Sequence, residues 1–260
     1  MRRWPLNNVE ERVLAAPVVS GVLAGIGTPH LAASYLGAMQ RVMPVTFCTV
    51  FAVSAAGRIE TVSAASSYGS TAERTADRYV AQRFDRLDPN MVWLAARKLP
   101  TRPQLWMGHQ VAEEVADPAY RAACYGDVGI RERVSVLLLL PTGQRTAVSF
   151  YRSLAQPEFG DSDFARLEGH ATLLADATLA HGRSAMAARE AAEPTLSTRL
   201  LALSLREREV VGHLLAGKTA KETAREIGVE LSTVRTHQYR AFRRLGIRGL
   251  KDLLRGAAAS

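Results

Sequence analysis

The run Ser204-Leu-Arg-Glu-Arg-Glu-Val-Val211, continued by Ala216-Gly-Lys-Thr-Ala-Lys-Glu-Thr-Ala-Arg-Glu-Ile-Gly-Val229 and Ser232-Thr-Val-Arg-Thr-His237, is punctuated as a series of short helices. Ser204 stands three residues before Glu207, the spacing of a capping box, in which each side chain satisfies the other residue's free backbone N–H. Val210, Val211, Leu214 and Leu215 recur at helical spacing and predict a buried stripe. Gly217 supplies the left-handed residue that ends this helix. Thr219 and Glu222 repeat the capping spacing, Ala224 and Ile227 form an inner face, and Gly228 closes the second helix. A third helix is predicted over Leu231–Leu245, with Val234, Gln238, Ala241 and Leu245 buried and Phe242 at their flank.

Charge singles out the same segment. The chain carries a net charge of +8, and Leu196 to Ser260, with 13 basic and 6 acidic residues, holds +7 of it. The preceding 195 residues, with 20 basic and 19 acidic, are close to neutral. A small module that concentrates positive charge in this way suits a phosphate backbone.

From about Leu203 to Leu253 these motifs resemble the LuxR-type helix-turn-helix: the Arg-Glu-Arg-Glu-Val start, the Ala-Gly turn, Lys-Glu-Thr-Ala and Thr-Val-Arg-Thr-His. The resemblance implies double-stranded DNA as partner, with Arg235, Thr236 and Tyr239 entering the major groove. The fork of an arginine suits a guanine edge. Thr233, Lys221, Arg240 and Arg243 are assigned to phosphates, which fix register without reading sequence. Three positions depart from the family: Gln238 replaces an aliphatic residue, Glu230 a Ser or Thr, and Arg240 a frequent Asn. The tail Leu250-Lys-Asp-Leu-Leu either forms a dimerisation helix, as the resemblance implies, or closes the domain core.

Outward from this module, 260 residues suggest two domains. The expected organisation is a sensor domain over 1–184, including an N-terminal arm over 1–29, a linker over 185–195 rich in Ala and Glu, and the DNA-binding domain over 196–260. With 47% hydrophobic and 22% charged residues, the composition is that of a folded rather than a disordered chain. Cys48 and Cys124 are too few for a disulfide framework and are read as buried thiols. The start Met1-Arg-Arg, followed by apolar Val13 to Gly27, does not make a secretory leader, because Glu10 and Glu11 interrupt it. The apolar stretch is also too short and too broken to span a bilayer. A cytoplasmic protein without membrane contact is expected.

Within the sensor domain, helices are predicted over His30–Val42, Thr71–Leu87, Asp117–Tyr125 and Asp161–His181. Val45–Val53 and Ile59–Ala65 read as strands joined at Ala55-Ala-Gly, and Val134–Leu140 and Thr146–Tyr151 as strands joined at Pro141-Thr-Gly. The fold class is therefore α+β: an α-β-α sandwich on an antiparallel sheet, followed by a small all-α helix-turn-helix domain. Tyr79, Asp88-Pro89, Leu105-Trp106 and Gly129-Ile-Arg follow one another in a way similar to acyl-homoserine-lactone-binding domains. That resemblance implies that Asp88 accepts a hydrogen bond from a ligand amide while Tyr79 and Trp106 hold its carbonyl groups. Thr75, four residues before Tyr79, departs from the pattern. So does Arg133, where a second glycine usually follows Gly129, and Trp106 stands farther from Asp88 than usual. The alternative is that Asp88-Pro89 merely ends a helix and the aromatics are plain core.

Catalysis finds no support in the motifs. The six histidines have no metal-ligand spacing, and neither a Ser-His-Asp arrangement nor a Gly-rich phosphate loop appears. No enzyme activity, cofactor or metal is expected. A phosphorylated receiver would need an acidic cluster at the end of an early strand, and Val45–Val53 has none. The expectation is a homodimeric transcription regulator controlled by a small molecule, for which an acyl-homoserine lactone is one candidate. The alternative is an orphan regulator whose N-terminal domain only dimerises or binds a protein.

Overall fold

The computed structural model describes residues 1–6, 13–192 and 196–258, with side chains except those of residues 60–62, 189–192, 196–197 and 255–258. The chain divides into two units, Met1–Met186 and Ala187–Ser260. The first contains β1 (Arg2–Pro5), α1 (Ala16–Leu23), α2 (Leu31–Met39), β2 (Phe47–Val53), β3 (Ile59–Ser66), α3 (Thr71–Ala81) and α4 (Pro89–Ala96). It continues through β4 (Gln104–Val111), α5 (Pro118–Arg121), β5 (Ile130–Leu139), β6 (Arg145–Ser153) and α6 (Asp161–Ala192), the last crossing into the second unit. The strands form one antiparallel sheet in the order β1-β4-β5-β6-β2-β3.

Because successive strand residues point to opposite faces, each strand serves two layers. Cys48, Val50, Val134, Val136, Val148 and Phe150 pack against α1, α2 and α6 through residues such as Val22, Leu36, Leu167 and Leu174. The alternate residues Phe47, Phe51 and Tyr151 meet α3 and α5, while Leu137 and Leu139 meet α4. The result is an α-β-α sandwich, as expected from the pattern. Cys48 and Cys124 are both buried and unpaired.

Several features differ from the sequence reading, among them helix α4, which the pattern did not predict. The N-terminal arm contributes an edge strand, with Arg3 opposite Gly108, and helix α1. Strand β4 went unforeseen because Gly108 interrupts its pattern. A Cβ at Gly108 would come within 3.0 Å of Asn90 Oδ1, so the glycine is a point of close approach. Helix α3 stops at Ala81, short of Leu87, and Arg83 then turns left-handed (φ 54°). Finally, α6 runs on to Ala192 through most of the expected linker. The Ala and Glu content that suggested a linker is also strong helix-forming composition. Residues 193–195 of that linker lie outside the described residues.

The second unit holds α7 (Leu196–Leu201), α8 (Leu205–Leu215), α9 (Ala220–Glu226), α10 (Leu231–Leu245) and α11 (Leu250–Ala258). Both capping boxes form: Glu207 N–H donates to Ser204 Oγ (3.3 Å) and Ser204 N–H to Glu207 (2.9 Å). At the next helix, Glu222 N–H donates to Thr219 Oγ1 (3.2 Å) and Thr219 N–H to Glu222 (2.7 Å). Gly217, Gly228 and Gly246 take the positive φ that helix ends require. Val210, Val211, Leu214, Ala224, Val234, Ala241, Leu245 and Leu253 form the core. Gln238 is half-buried at the edge of this core, where a polar tip can still reach water. In α11, Leu253 closes the core while Leu250 and Leu254 stay exposed. Among the described residues no helix is long and apolar enough to cross a membrane.

Candidate functional site

In the second unit, α10 offers its polar side outward. Its 15 residues span about 22 Å at 1.5 Å per residue, a rod that a major groove admits. Arg235, Thr236 and Tyr239 are exposed on it, as are Thr233, Arg240 and Arg243, and Lys221 is exposed on α9. Thr236 Oγ1 donates to the Ser232 carbonyl (2.9 Å), which restrains its rotamer while its methyl remains presented. Behind this surface, Arg244 reaches back to Glu207 (2.6 Å) and ties α10 to α8. The Ser204 N–H leads the groups that hold the Glu207 carboxyl below the usual carboxylate range. Lys218 is paired with Glu226 and so is already engaged.

In the first unit, the polar interest lies between the sheet and α3, α4 and α5. Asp88 caps α4, with Pro89 at its first helical position. Its carboxylate is buried and accepts five hydrogen bonds. Oδ1 accepts from Asn90 N–H (2.8 Å) and Arg133 Nη2 (3.0 Å); Oδ2 accepts from Arg133 Nη1 (2.8 Å), Tyr120 Oη (3.0 Å) and Tyr79 Oη (3.3 Å). Burial by itself would raise the Asp88 pKa, but the Arg133 charge and these donors outweigh it and hold the carboxyl below its ordinary value. Burial and the neighbouring Asp88 charge push both Tyr79 and Tyr120 well up, so their hydroxyls stay protonated donors.

Beside this ion pair is a cavity of about 30 Å³ lined by Phe47, Phe51, Thr75, Tyr79, Tyr120, Cys124, Tyr125 and Tyr151, among others. That is room for little more than one or two waters. Phe51 and Tyr79 stack with centroids 4.4 Å apart. After α5 the chain widens into a π-turn over Ala122–Gly126, closed by Asp127 N–H to the Ala122 carbonyl (2.8 Å). Such turns are frequent at functional sites. Here the wider turn brings Tyr120 and Tyr125, five residues apart, to one wall with centroids 6.0 Å apart. Tyr125 Oη, Arg133 Nε, Gln110 Nε2 and Asn90 Oδ1 are buried without a hydrogen-bond partner. Burial pushes the Cys124 thiol up to about 12, so it is neutral.

Of the residues expected to hold a ligand, Tyr79 lines the cavity and Asp88 lies behind the Tyr79 and Tyr120 hydroxyls. Trp106 does not join them: it packs edge-on against Trp93 (5.0 Å), with the Arg97 guanidinium 5.0 Å from its ring. Asp88-Pro89 starts a helix rather than ending one. Tyr120 and Tyr125 went unnoticed in the sequence, since five residues is no period of an α-helix. Arg133 was visible as a departure, but its partner was not. Among the described residues no group of His, Cys, Asp or Glu is placed to hold a metal ion.

Residues 201–257 match the family described as bacterial regulatory proteins, luxR family, and form a LuxR-family helix-turn-helix domain. No curated protein sequence matches the chain. Among solved structures, Escherichia coli SdiA is 20% identical with a TM-score of 0.45, over 91% of this chain and 92% of that one. SdiA in complex with octanoyl-rac-glycerol is also 20% identical, with a TM-score of 0.38, over 98% and 91%. The N-acylhomoserine-lactone-dependent LuxR family transcription factor CepR2 from Burkholderia cenocepacia is 16% identical with a TM-score of 0.45, over 65% and 93%.

Proposed function

We propose, from the LuxR-family DNA-binding domain at residues 201–257, that this protein is a cytoplasmic, homodimeric regulator of transcription whose N-terminal unit binds a small molecule. The observation that carries the ligand half is the cavity lined by four tyrosines, two of which the π-turn brings to one wall. An aromatic wall with a few convergent hydroxyls suits recognition of a small molecule. On the DNA half, Arg235, Thr236 and Tyr239 read bases, and Thr233, Lys221, Arg240 and Arg243 hold phosphates. Exposed Leu250 and Leu254 on α11 fit an apolar contact between two copies, which would place two recognition helices on a two-fold-related site.

DNA binding is tested on a site selected from random sequence. Arg235→Ala should weaken specific binding by about 1–3 kcal/mol and relax one base position, whereas Arg243→Ala should weaken all sequences alike. An equal loss on every sequence for Arg235→Ala would remove it from base readout. The ligand half is tested by thermal unfolding against acyl-homoserine lactones and related acyl compounds. A ligand at 100 times its Kd adds about 2.7 kcal/mol, and a panel with no shift would count against a ligand. A second reading, in which the N-terminal unit only dimerises or binds a protein, is favoured by the small size of the cavity.

A further inference from the structure

Resting on the DNA-binding reading of the second unit, we infer that Glu230 is a specificity-determining residue: its carboxylate accepts from the amino group of a cytosine and disfavours sites that lack one. Residues 196–260 contain six acidic side chains, and five of them are engaged within the fold. Glu207 caps α8 and meets Arg244, Glu209 meets Arg206 (2.7 Å), and Glu222 caps α9. Glu226 pairs with Lys218, and Asp252 accepts from the Arg248 N–H (3.0 Å). Glu230 is exposed, and among the described residues its carboxylate has neither a hydrogen bond nor an ion pair. It stands at the N-cap of α10 without accepting from the first turn. A unit with 13 basic residues thus leaves one carboxylate unneutralised, at the leading end of its recognition helix.

Position and charge restrict what such a group can meet. In helix-turn-helix complexes the N-terminal residues of the recognition helix face base edges. A helix N-terminus, with its free N–H groups and positive dipole end, is by default a seat for phosphate. Glu230 sets a negative charge there, so the side chain complements the dipole and a phosphate is repelled. Along the major-groove edge, guanine shows two acceptors, and thymine an acceptor and a methyl group; neither suits a carboxylate. Adenine sets its N7 acceptor beside its amino group, whereas cytosine shows its N4 amino group alone. Cytosine is therefore the base that a carboxylate matches. The charge acts twice: it gains a hydrogen bond at the matching site, and phosphates repel it at every site. Both effects widen the gap between the right sequence and all others.

The test uses the full-length protein, the duplex that the wild type selects from random sequence, and a second duplex of random sequence. Affinities are read by fluorescence anisotropy at one fixed salt concentration, and single-base variants of the selected duplex map the preference at each position. The wild type should prefer cytosine at one position by about fivefold or more, as expected of a specific base contact. Glu230→Ala should abolish that preference and bind the random duplex about twofold or more tightly, since a charge that repels phosphates is gone. Glu230→Gln loses the charge but keeps an acceptor oxygen, so it should retain part of the preference and share the gain on random sequence. Melting curves for both variants separate a lost contact from a lost fold. An unchanged base pattern in Glu230→Ala overturns the inference and leaves DNA binding intact. So does a relaxed position at which the wild type prefers another base, or weaker binding of the random duplex, which would make Glu230 a support of the helix. A wild type that selects no site removes the DNA reading and this inference together.

Discussion

The two faces of the sheet are made by the same strands and differ in chemistry. Under α1, α2 and α6 the strands present Cys48, Val50, Val134, Val136, Val148 and Phe150. Charge enters where Glu132 accepts from His109 (2.6 Å) and where Arg152 donates to the carbonyls of Pro44, Pro157 and Glu158 and pairs with Asp163 (3.0 Å). One residue along, on the face under α3, α4 and α5, stand Thr49, Arg133, Ser135, Ser149 and Tyr151, with Asp88 and Asn90 lowered onto them. Apolar side chains of similar volume would stabilise that face as well or better, because desolvating two charges offsets most of their attraction. Both faces bury an ion pair, Arg152 with Asp163 on the first and Arg133 with Asp88 on the second, but the second sets its pair behind the tyrosines of a cavity. Departures of this kind are expected where a surface is kept for recognition.

The sharpest way to break this contrast is Arg133→Met. It leaves the Asp88 carboxylate buried without its cation and should cost about 3–5 kcal/mol in denaturant unfolding. Adding Asp88→Asn should recover most of that loss. A single-substitution cost below about 1 kcal/mol would mean that water reaches Asp88 and the second face is not sealed. On the first face, Leu167→Ala removes a fully buried side chain and should cost about 2–5 kcal/mol as a cavity. This loss should be the same at pH 3 and pH 7, since nothing ionisable is lost.

Acid separates the faces further. The folded-state pKa of Asp88 is depressed, so its contribution is fully present above the unfolded value of about 3.9 and fades as pH falls through the lower folded value. The wild type should therefore lose stability below about pH 4 more steeply than the Asp88→Asn, Arg133→Met protein in acid unfolding followed by circular dichroism. Matching acid profiles would show that the pair is not the source. The smallest effect is expected at Tyr125→Phe. Deleting a hydroxyl that has no partner should leave stability unchanged or raise it by up to about 1 kcal/mol, whereas Tyr120→Phe, which removes a donor to Asp88, should lower it by about 1–3 kcal/mol. Equal melting temperatures for the two variants would erase the distinction between the hydroxyls.

Legibility in the sequence follows the range of the forces involved. Strands β2, β3, β5 and β6 could be read because each hairpin carries apolar runs on both sides of its own turn, Ala55-Ala-Gly or Pro141-Thr-Gly. Strand β4 could not, since its pairing with β5 replaces the local pattern that Gly108 breaks. Tyr79 stands out in the sequence and lines the cavity, but Tyr120 and Tyr125 share its wall only because the helix widens to a π-turn between them. Trp106, already farther from Asp88 than the resemblance expects, is set by the structure against Trp93 and Arg97.

The DNA-binding unit was determined by the sequence alone, because its signals act within three or four residues: Ser204 with Glu207, Thr219 with Glu222, and glycine at each helix end. What Asp88 does was decided by tertiary structure. Its partner Arg133 lies 45 residues away, and the two meet because strand register sets Arg133 opposite Gln110 while Asp88 caps the helix laid over that face. A carboxylate's chemistry belongs to its neighbours, and those neighbours exist only once the sheet has formed.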